Sequence, residues 1–189
     1  MNEVPATIRK ARRVRGLTIA LRDATPADAE FILALRRDEN RNRHISETGP
    51  DLNAQRAWLA RYANDDRQAY FVIETLGGTP LGTVRLYDQV GSSFSWGSWI
   101  LSREAPPSAA VESAVLVYAY AFDVLGFAAT HFEVRTANQS VWRFHERFGA
   151  ELVSEDAVDR HYSLSRETYD AGARRRYARY ATDSLVVEE

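Results

Sequence analysis

Phe94-Ser-Trp-Gly-Ser-Trp-Ile-Leu101 runs through Ser102-Arg-Glu-Ala-Pro-Pro-Ser-Ala-Ala110 into Val111-Glu-Ser-Ala-Val-Leu-Val-Tyr-Ala-Tyr-Ala-Phe-Asp-Val-Leu125 and Gly126. The first segment reads as a strand. Phe94, Trp96, Ser98 and Ile100 share one face, and Ser95, Gly97, Trp99 and Leu101 share the other. Pro106 and Pro107 end it. The third segment reads as a long helix, because Val111, Val115, Tyr118, Phe122 and Leu125 recur at the spacing of one buried stripe. Gly126 stops that helix.

Upstream lie a strand at Leu17–Leu21 and a helix start at Thr25-Pro26-Ala-Asp28. A second helix after Gly49-Pro50-Asp51 carries Gln55, Trp58, Leu59 and Tyr62. Tyr70–Glu74 and Leu81–Tyr87 read as a hairpin closed by Gly77-Gly78. Downstream, the strand His131–Thr136 leads to Asn138 and a short helix that Gly149 stops. Two short strands, at Glu151–Val153 and His161–Leu164, follow. The order predicts an α/β (α+β mixed) fold: a mixed central sheet with helices on both faces. We divide the chain into a basic flexible tail (1–16), one catalytic-sized domain (17–165) and a C-terminal polar helix and tail (166–189).

The chain has 189 residues and a formal net charge of −2, so it carries no overall bias toward nucleic acid. The arginines near each end offer a nucleic-acid contact, but no nucleic-acid motif accompanies them. Without cysteine there is no disulfide, thiolate metal site or cysteine nucleophile. The four histidines show no metal-ligand spacing, so no metal is expected. No apolar run is long enough for a membrane span, and no apolar segment follows the basic N-terminus, which makes the cytoplasm the expected location.

Two features suggest a ligand. With Ser108 as N-cap, the amides of Ser108, Ala109, Ala110 and Val111 lack intrahelical partners and form a ready anion site. An ordinary capped helix is the plainer reading. Asn138 and His145 lie two turns apart on nearly one face. A hydrogen-bonded core histidine is the plainer reading there.

From Leu17 to about Val153 the order and motifs resemble the GNAT acetyltransferases. Leu21-Arg-Asp-Ala-Thr-Pro-Ala-Asp28 resembles their first strand and helix start. Ser98–Leu101, the loop and Val111-Glu112-Ser-Ala114 resemble their coenzyme A-binding strand, loop and helix. Asn138-Gln-Ser-Val-Trp-Arg-Phe-His-Glu-Arg-Phe-Gly149 resembles the segment that closes the site. Where the family loop has Arg or Gln followed by glycines, this chain has Ala105-Pro-Pro-Ser-Ala-Ala110, whose prolines remove two N–H donors.

The resemblance implies acetyl-CoA as cosubstrate. It implies a pantetheine along Trp99, Ile100 and Leu101, a pyrophosphate on Ser108 to Val111, and cofactor contacts from Asn138 and Trp142. Backbone amides near Ile100 and Leu101 would polarise the thioester carbonyl. His145 holds the position of the usual tyrosine acid, as in the phosphinothricin acetyltransferases. With a reference pKa of about 6.5 it would protonate a thiol of pKa about 8.5. The implied acceptor pocket offers Asn40, Arg41, His44, Glu47, Arg85, Tyr87, Asp88 and Trp96. Glu47 or Asp88 would attract an ammonium, and Arg41 or Arg85 would hold a phosphate or carboxylate. Asn40–Ile45 and Gln55–Trp58 look like relatives that acetylate amino sugars on nucleotide carriers. The implied partner is a small-molecule amine or a peptide N-terminus. A protein N-terminal acetyltransferase and a catalytically silent coenzyme A-binding module stand as alternatives. The tail helix permits a homodimer.

Overall fold

The computed structural model describes residues 5–38, 49–182 and 185–189. Among these residues, the strands are β1 (Arg13–Arg15), β2 (Ile19–Asp23), β3 (Ala69–Thr75), β4 (Pro80–Val90), β5 (Ser93–Leu101), β6 (Ala129–Arg135), β7 (Glu151–Glu155), β8 (Asp159–Ser165) and β9 (Val186–Glu188). They form one nine-stranded sheet in the order β7-β8-β6-β5-β4-β3-β2-β1-β9. The helices are α1 (Ala29–Arg37), α2 (Leu52–Tyr62), α3 (Ser108–Tyr118), α4 (Gln139–Arg147), α5 (Arg166–Ala171) and α6 (Ala173–Arg176). None is long and apolar enough to cross a membrane.

Strand β3 shows why both faces carry helices. Its residues are buried on either side rather than alternating with polar ones. Tyr70 and Val72 pack with Ile32 of α1 and Leu59 of α2. Phe71 and Ile73 join the larger core with Val115 and Tyr118 of α3. Burial on both faces makes α3 apolar nearly all round, so more than the expected stripe is covered. The helix continues as a π-helical turn, Ala119–Val124, and ends at Gly126 with a φ of +79°.

Three expectations need correction. First, residues 1–16 are not a free tail where the structure describes them. Ile8, Ala11 and Val14 are buried, and β1 pairs with β2 and with β9. Their apolar side chains outweigh the neighbouring arginines. Second, the polar tail helix is broken at Gly172 into α5 and α6, and it is not wholly solvated. Tyr169 and Ala173 are buried, and Tyr177 stacks on Phe148 at 4.5 Å. Third, the face alternation of β5 inverts part-way. Thr83 faces Ile100 but Arg85 faces Gly97, so Val84 opposes both Ser98 and Trp99. Ser98 takes a φ of +46° to make that bulge. Trp99 therefore turns to the side of Trp96, with ring centroids 5.5 Å apart.

Candidate active site

β5 and β6 are parallel neighbours, yet they pair only at Ser93–Ala129 and Phe94–Thr130. The Thr130 hydroxyl donates to the Phe94 carbonyl at 2.8 Å. Beyond those two rungs the strands part. The bulge at Ser98 bends β5 away, and bulges raise local twist. A cleft of about 260 Å³ opens in the gap, lined by Trp96 to Trp99, Phe132 to Arg135, Asn138, Val141 and His145, with Tyr87 and Arg36 at its side.

The ladder also fixes which amides face the gap. Ser102 N–H donates to the Leu81 carbonyl at 2.7 Å, and Leu101 lies opposite Gly82. Hydrogen-bonded and non-bonded pairs alternate in an antiparallel ladder. The amide of Leu101 therefore points away from β4, toward the gap, whereas that of Ile100 turns to Thr83. Of the two amides expected to meet a carbonyl, only the one at Leu101 has that orientation.

His145 is 5% exposed and sits in an aromatic box. Ring centroids of Phe132, Trp96 and Trp99 lie 4.3, 5.1 and 6.1 Å away. Its Nδ1 is buried without a hydrogen-bond partner among the described residues. Desolvation pushes its pKa down to about 3. The expected protonated acid is thus corrected: the imidazole is neutral at neutral pH and can donate one N–H but carries no charge. A stability consequence follows. The folded pKa lies below the unfolded value of about 6.5, so the stabilisation is complete above pH 6.5 and fades as pH falls toward 3. Wild type is expected to lose about 2 kcal/mol between pH 7 and pH 5 through this group. His145→Phe should lose correspondingly less over the same interval. Equal losses in urea titrations at the two pH values would remove His145 as the cause.

A second pocket, of about 430 Å³, lies on the other side of the bulge. Arg36 from α1, Trp58 and Arg61 from α2, Tyr70 from β3, Arg85 from β4 and Ser98 line it. Asp51, whose side chain caps α2 by accepting from Asn53 N–H at 2.8 Å, stands at its edge. Ser98 and Arg36 line both pockets, so the two spaces adjoin at the bulge. The positive φ at Ser98 is the kind of backbone strain found at functional sites.

The expected site residues divide accordingly. Trp99, Asn138 and His145 gather in the first cleft. Tyr87 and Trp96, expected on the acceptor side, line that cleft instead, and the bulge brings Trp99 onto the same face as Trp96. Arg85 lines the acceptor-side pocket. Asp88 lines neither. It turns outward at a φ of +47° and meets His131 at 3.4 Å. Trp142 belongs to α4 but does not line the first cleft. Its indole N–H donates to the Thr136 carbonyl, and Arg160 stacks 4.1 Å over its ring. Ser108 is the first helical residue rather than the cap, which is Pro107. The amide of Ala109 is not free, since it donates to the Pro106 carbonyl at 2.9 Å. Ser108, Ala110 and Val111 remain half-buried at the helix start. Asn40, Arg41, His44 and Glu47 lie outside the described residues. Arg36, Arg61 and Tyr70 were missed. The two arginines read as ordinary cations in the last turns of α1 and α2, where the helix dipole favours them.

A sheet split beside a bulge, with a strand–loop–helix crossing it, invites comparison with known folds. Residues 18–151 match the family model for the acetyltransferase (GNAT) domain. The chain belongs to the GNAT acetyltransferases. These enzymes use acetyl-CoA, whose thioester supplies the acyl group when bound. A structure described as apo FdhC, a nucleotide-linked sugar GNAT, is 38% identical, with a TM-score of 0.81 over 90% of this chain and 98% of that one. A GCN5-related N-acetyltransferase from Brucella melitensis shares the fold at 20% identity, with a TM-score of 0.79 over 96% of this chain and 90% of that one. Mutant forms of the spermidine/spermine N-acetyltransferase SpeG from Vibrio cholerae share it at 17% identity, with a TM-score of 0.67 over 82% and 97%. No curated protein matches the chain in sequence. The GNAT cosubstrate fits what the split presents: a cleft between the parted strands, then the Leu101 amide turned away from β4 just past the cleft-lining Trp96 to Trp99, and a helix start of small residues that follows β5.

Proposed function

We propose that this GNAT transfers an acetyl group from acetyl-CoA, by direct attack, to the primary amine of a small molecule, an amino sugar. The observation that carries the reading is the pair of adjoining pockets, which among the described residues share Arg36 and Ser98. Their volumes, about 430 and 260 Å³, suit a small ligand on one side and a narrow arm on the other. The sugar-directed description of FdhC, at 38% identity, supports the choice of acceptor.

In this reading Trp99 and Leu101 hold the arm by strand-like pairing, and Asn138 contacts it from the start of α4. The Leu101 amide aims at the carbonyl oxygen that gains charge as the amine attacks. Neutral His145 offers its remaining N–H toward the departing sulfur, and the surrounding rings exclude water. The attacking amine must be unprotonated, so an ammonium acceptor gives one proton to solvent before attack, and the second N–H proton, released as the amide forms and the C–S bond breaks, goes to the departing thiolate. The Ala109 hydrogen bond and the two prolines favour one competing reading, a coenzyme A-binding module without turnover.

The test is thiol release from acetyl-CoA with amino sugars, free and nucleotide-linked, beside polyamines, amino acids and N-terminal peptides. The reading expects an amino sugar to give the highest kcat/KM. Turnover confined to peptides would replace it with N-terminal acetylation, and calorimetric acetyl-CoA binding without any turnover would leave the silent module.

A further inference from the structure

Arg85 is half-buried at the centre of β4, and it is poorly provided with partners. Its guanidinium sits 5.6 Å from the Trp58 ring centroid and 4.9 Å from that of Tyr87. Its Nε is buried with no hydrogen-bond partner among the described residues. Asp65, a carboxylate whose field reaches it, already takes Arg67 at 3.0 Å and Gln68 at 2.6 Å. Burial chiefly, with the charge of Arg36 adding, pulls the Arg85 pKa below the ordinary arginine value. A charge removed from water without a counter-ion destabilises the fold, and an anion in the pocket offsets that. Arg36 and Arg61 line the same pocket, and among the described residues that line it Asp51 is the one carboxylate.

Resting on the amino-sugar reading above, we infer that Arg85, with Arg36 and Arg61, binds a phosphoryl group carried by the acceptor. The rings of Trp58 and Tyr87 lie against the Arg85 guanidinium and restrict its freedom. A fixed planar fork suits two-point contact with phosphate oxygens, which a lysine cannot reproduce. The phosphoryl group belongs either to a sugar phosphate or to a nucleotide diphosphate linkage. The geometry serves both, because it addresses phosphate oxygens alone. Arg85 is a positioning and specificity residue here. It selects the acceptor and leaves the acyl donor untouched.

The test compares glucosamine, glucosamine 6-phosphate and a uridine-diphosphate-linked amino sugar as acceptors of wild type, Arg85→Gln, Arg85→Lys and Arg61→Gln. Uridine diphosphate and inorganic pyrophosphate serve as calorimetric probes. Arg85→Gln is expected to raise KM for at least one phosphate-bearing acceptor about ten- to a hundredfold, the scale of a charged hydrogen bond, with kcat changed less than about threefold. Its affinity for acetyl-CoA should stay level with wild type, and its KM for glucosamine should change several-fold less than that for the phosphate-bearing acceptor, a split that a merely structural loss would not give. Arg85→Lys should recover only part of the loss. Arg61→Gln, on an exposed helix position, should weaken the same acceptors without touching the fold. Preference for the linked sugar over the 6-phosphate identifies a diphosphate carrier, and the reverse identifies a sugar phosphate.

Equal KM for glucosamine and both phosphate-bearing sugars in wild type would overturn the phosphate site while leaving the amino-sugar reading intact. Arg85-dependent binding of uridine diphosphate without acetylation of any amino sugar would do the opposite. Equal losses of Arg85→Gln on all three acceptors would also overturn the site.

Discussion

Leu101→Pro is expected to lower kcat about 100- to 1,000-fold, the scale of losing one donor to a developing oxyanion. Leu101→Ala should lower it less than about tenfold. The two variants separate the amide from the side chain, which packs against the main core. Proline removes an N–H that the ladder does not use, since Leu101 stands opposite Gly82 at a non-bonded position. Ile100, the residue before it, is already extended, as a following proline requires. Ile100→Pro is the contrasting change, because it deletes an amide directed to Thr83 and should unfold the strand end. The measurement is thiol release at saturating acetyl-CoA, with thermal melts to show that Leu101→Pro is folded. Equal kcat for the proline and alanine variants would take the amide out of the chemistry.

Glu112→Ala is expected to destabilise the fold by about 3 kcal/mol, or roughly 6–12 °C in Tm for a domain of this size. Glu112 is 1% exposed in the middle of α3. It accepts from Thr18 N–H at 2.7 Å, from the Thr18 hydroxyl at 2.5 Å and from Ile19 N–H at 3.1 Å. Alanine leaves three donors at the start of β2 without an acceptor: the buried Ile19 amide, whose desolvation alone costs about 1–3 kcal/mol, and the two donors of exposed Thr18, which are partly covered and lose charged hydrogen bonds. Glu112→Gln keeps one acceptor oxygen and should lose roughly half as much. The backbone is fitted to this contact: a Cβ at Gly16 would stand 2.9 Å from Glu112 Oε1 and 2.7 Å from Leu116 Cδ1. Urea unfolding of both variants measures the effect. A loss below about 0.5 kcal/mol for alanine would show that water replaces the carboxylate.

The stability role of Glu112 shows where sequence reading stops. Within Val111-Glu112-Ser-Ala114 it belongs to a segment resembling a coenzyme A helix, and nothing local says that its carboxylate reaches back ninety-four positions to Thr18. Periodicity, by contrast, was sufficient for α3 and for the meander β3–β5, because those patterns depend on neighbours three, four or two residues apart. Long-range pairing was not legible. Strand β1 is three residues long and hidden in a run of arginines, and its partner β9 lies at the other end of the chain. The site divided the same way. Asn138, His145 and Trp99 were readable from motif and spacing. The inverted face of Trp99, the neutral state of His145 and the arginine cluster with Arg36 and Arg61 were not. Each depends on a bulge, on burial or on packing between two helices, none of which has a one-dimensional signature.

The brevity of the β5–β6 contact has a mechanical consequence. With only Ser93–Ala129 and Phe94–Thr130 as rungs, the sheet is two antiparallel panels, β6–β8 with β7 on one side and β5 through β9 on the other, stitched along a short hem. Each panel keeps its own hydrogen bonds if the hem stretches. Widening the gap to admit a guest therefore breaks few bonds, and a guest lying along Trp99 and Leu101 would act as a rivet, lending the torn edge the partners that β6 withholds.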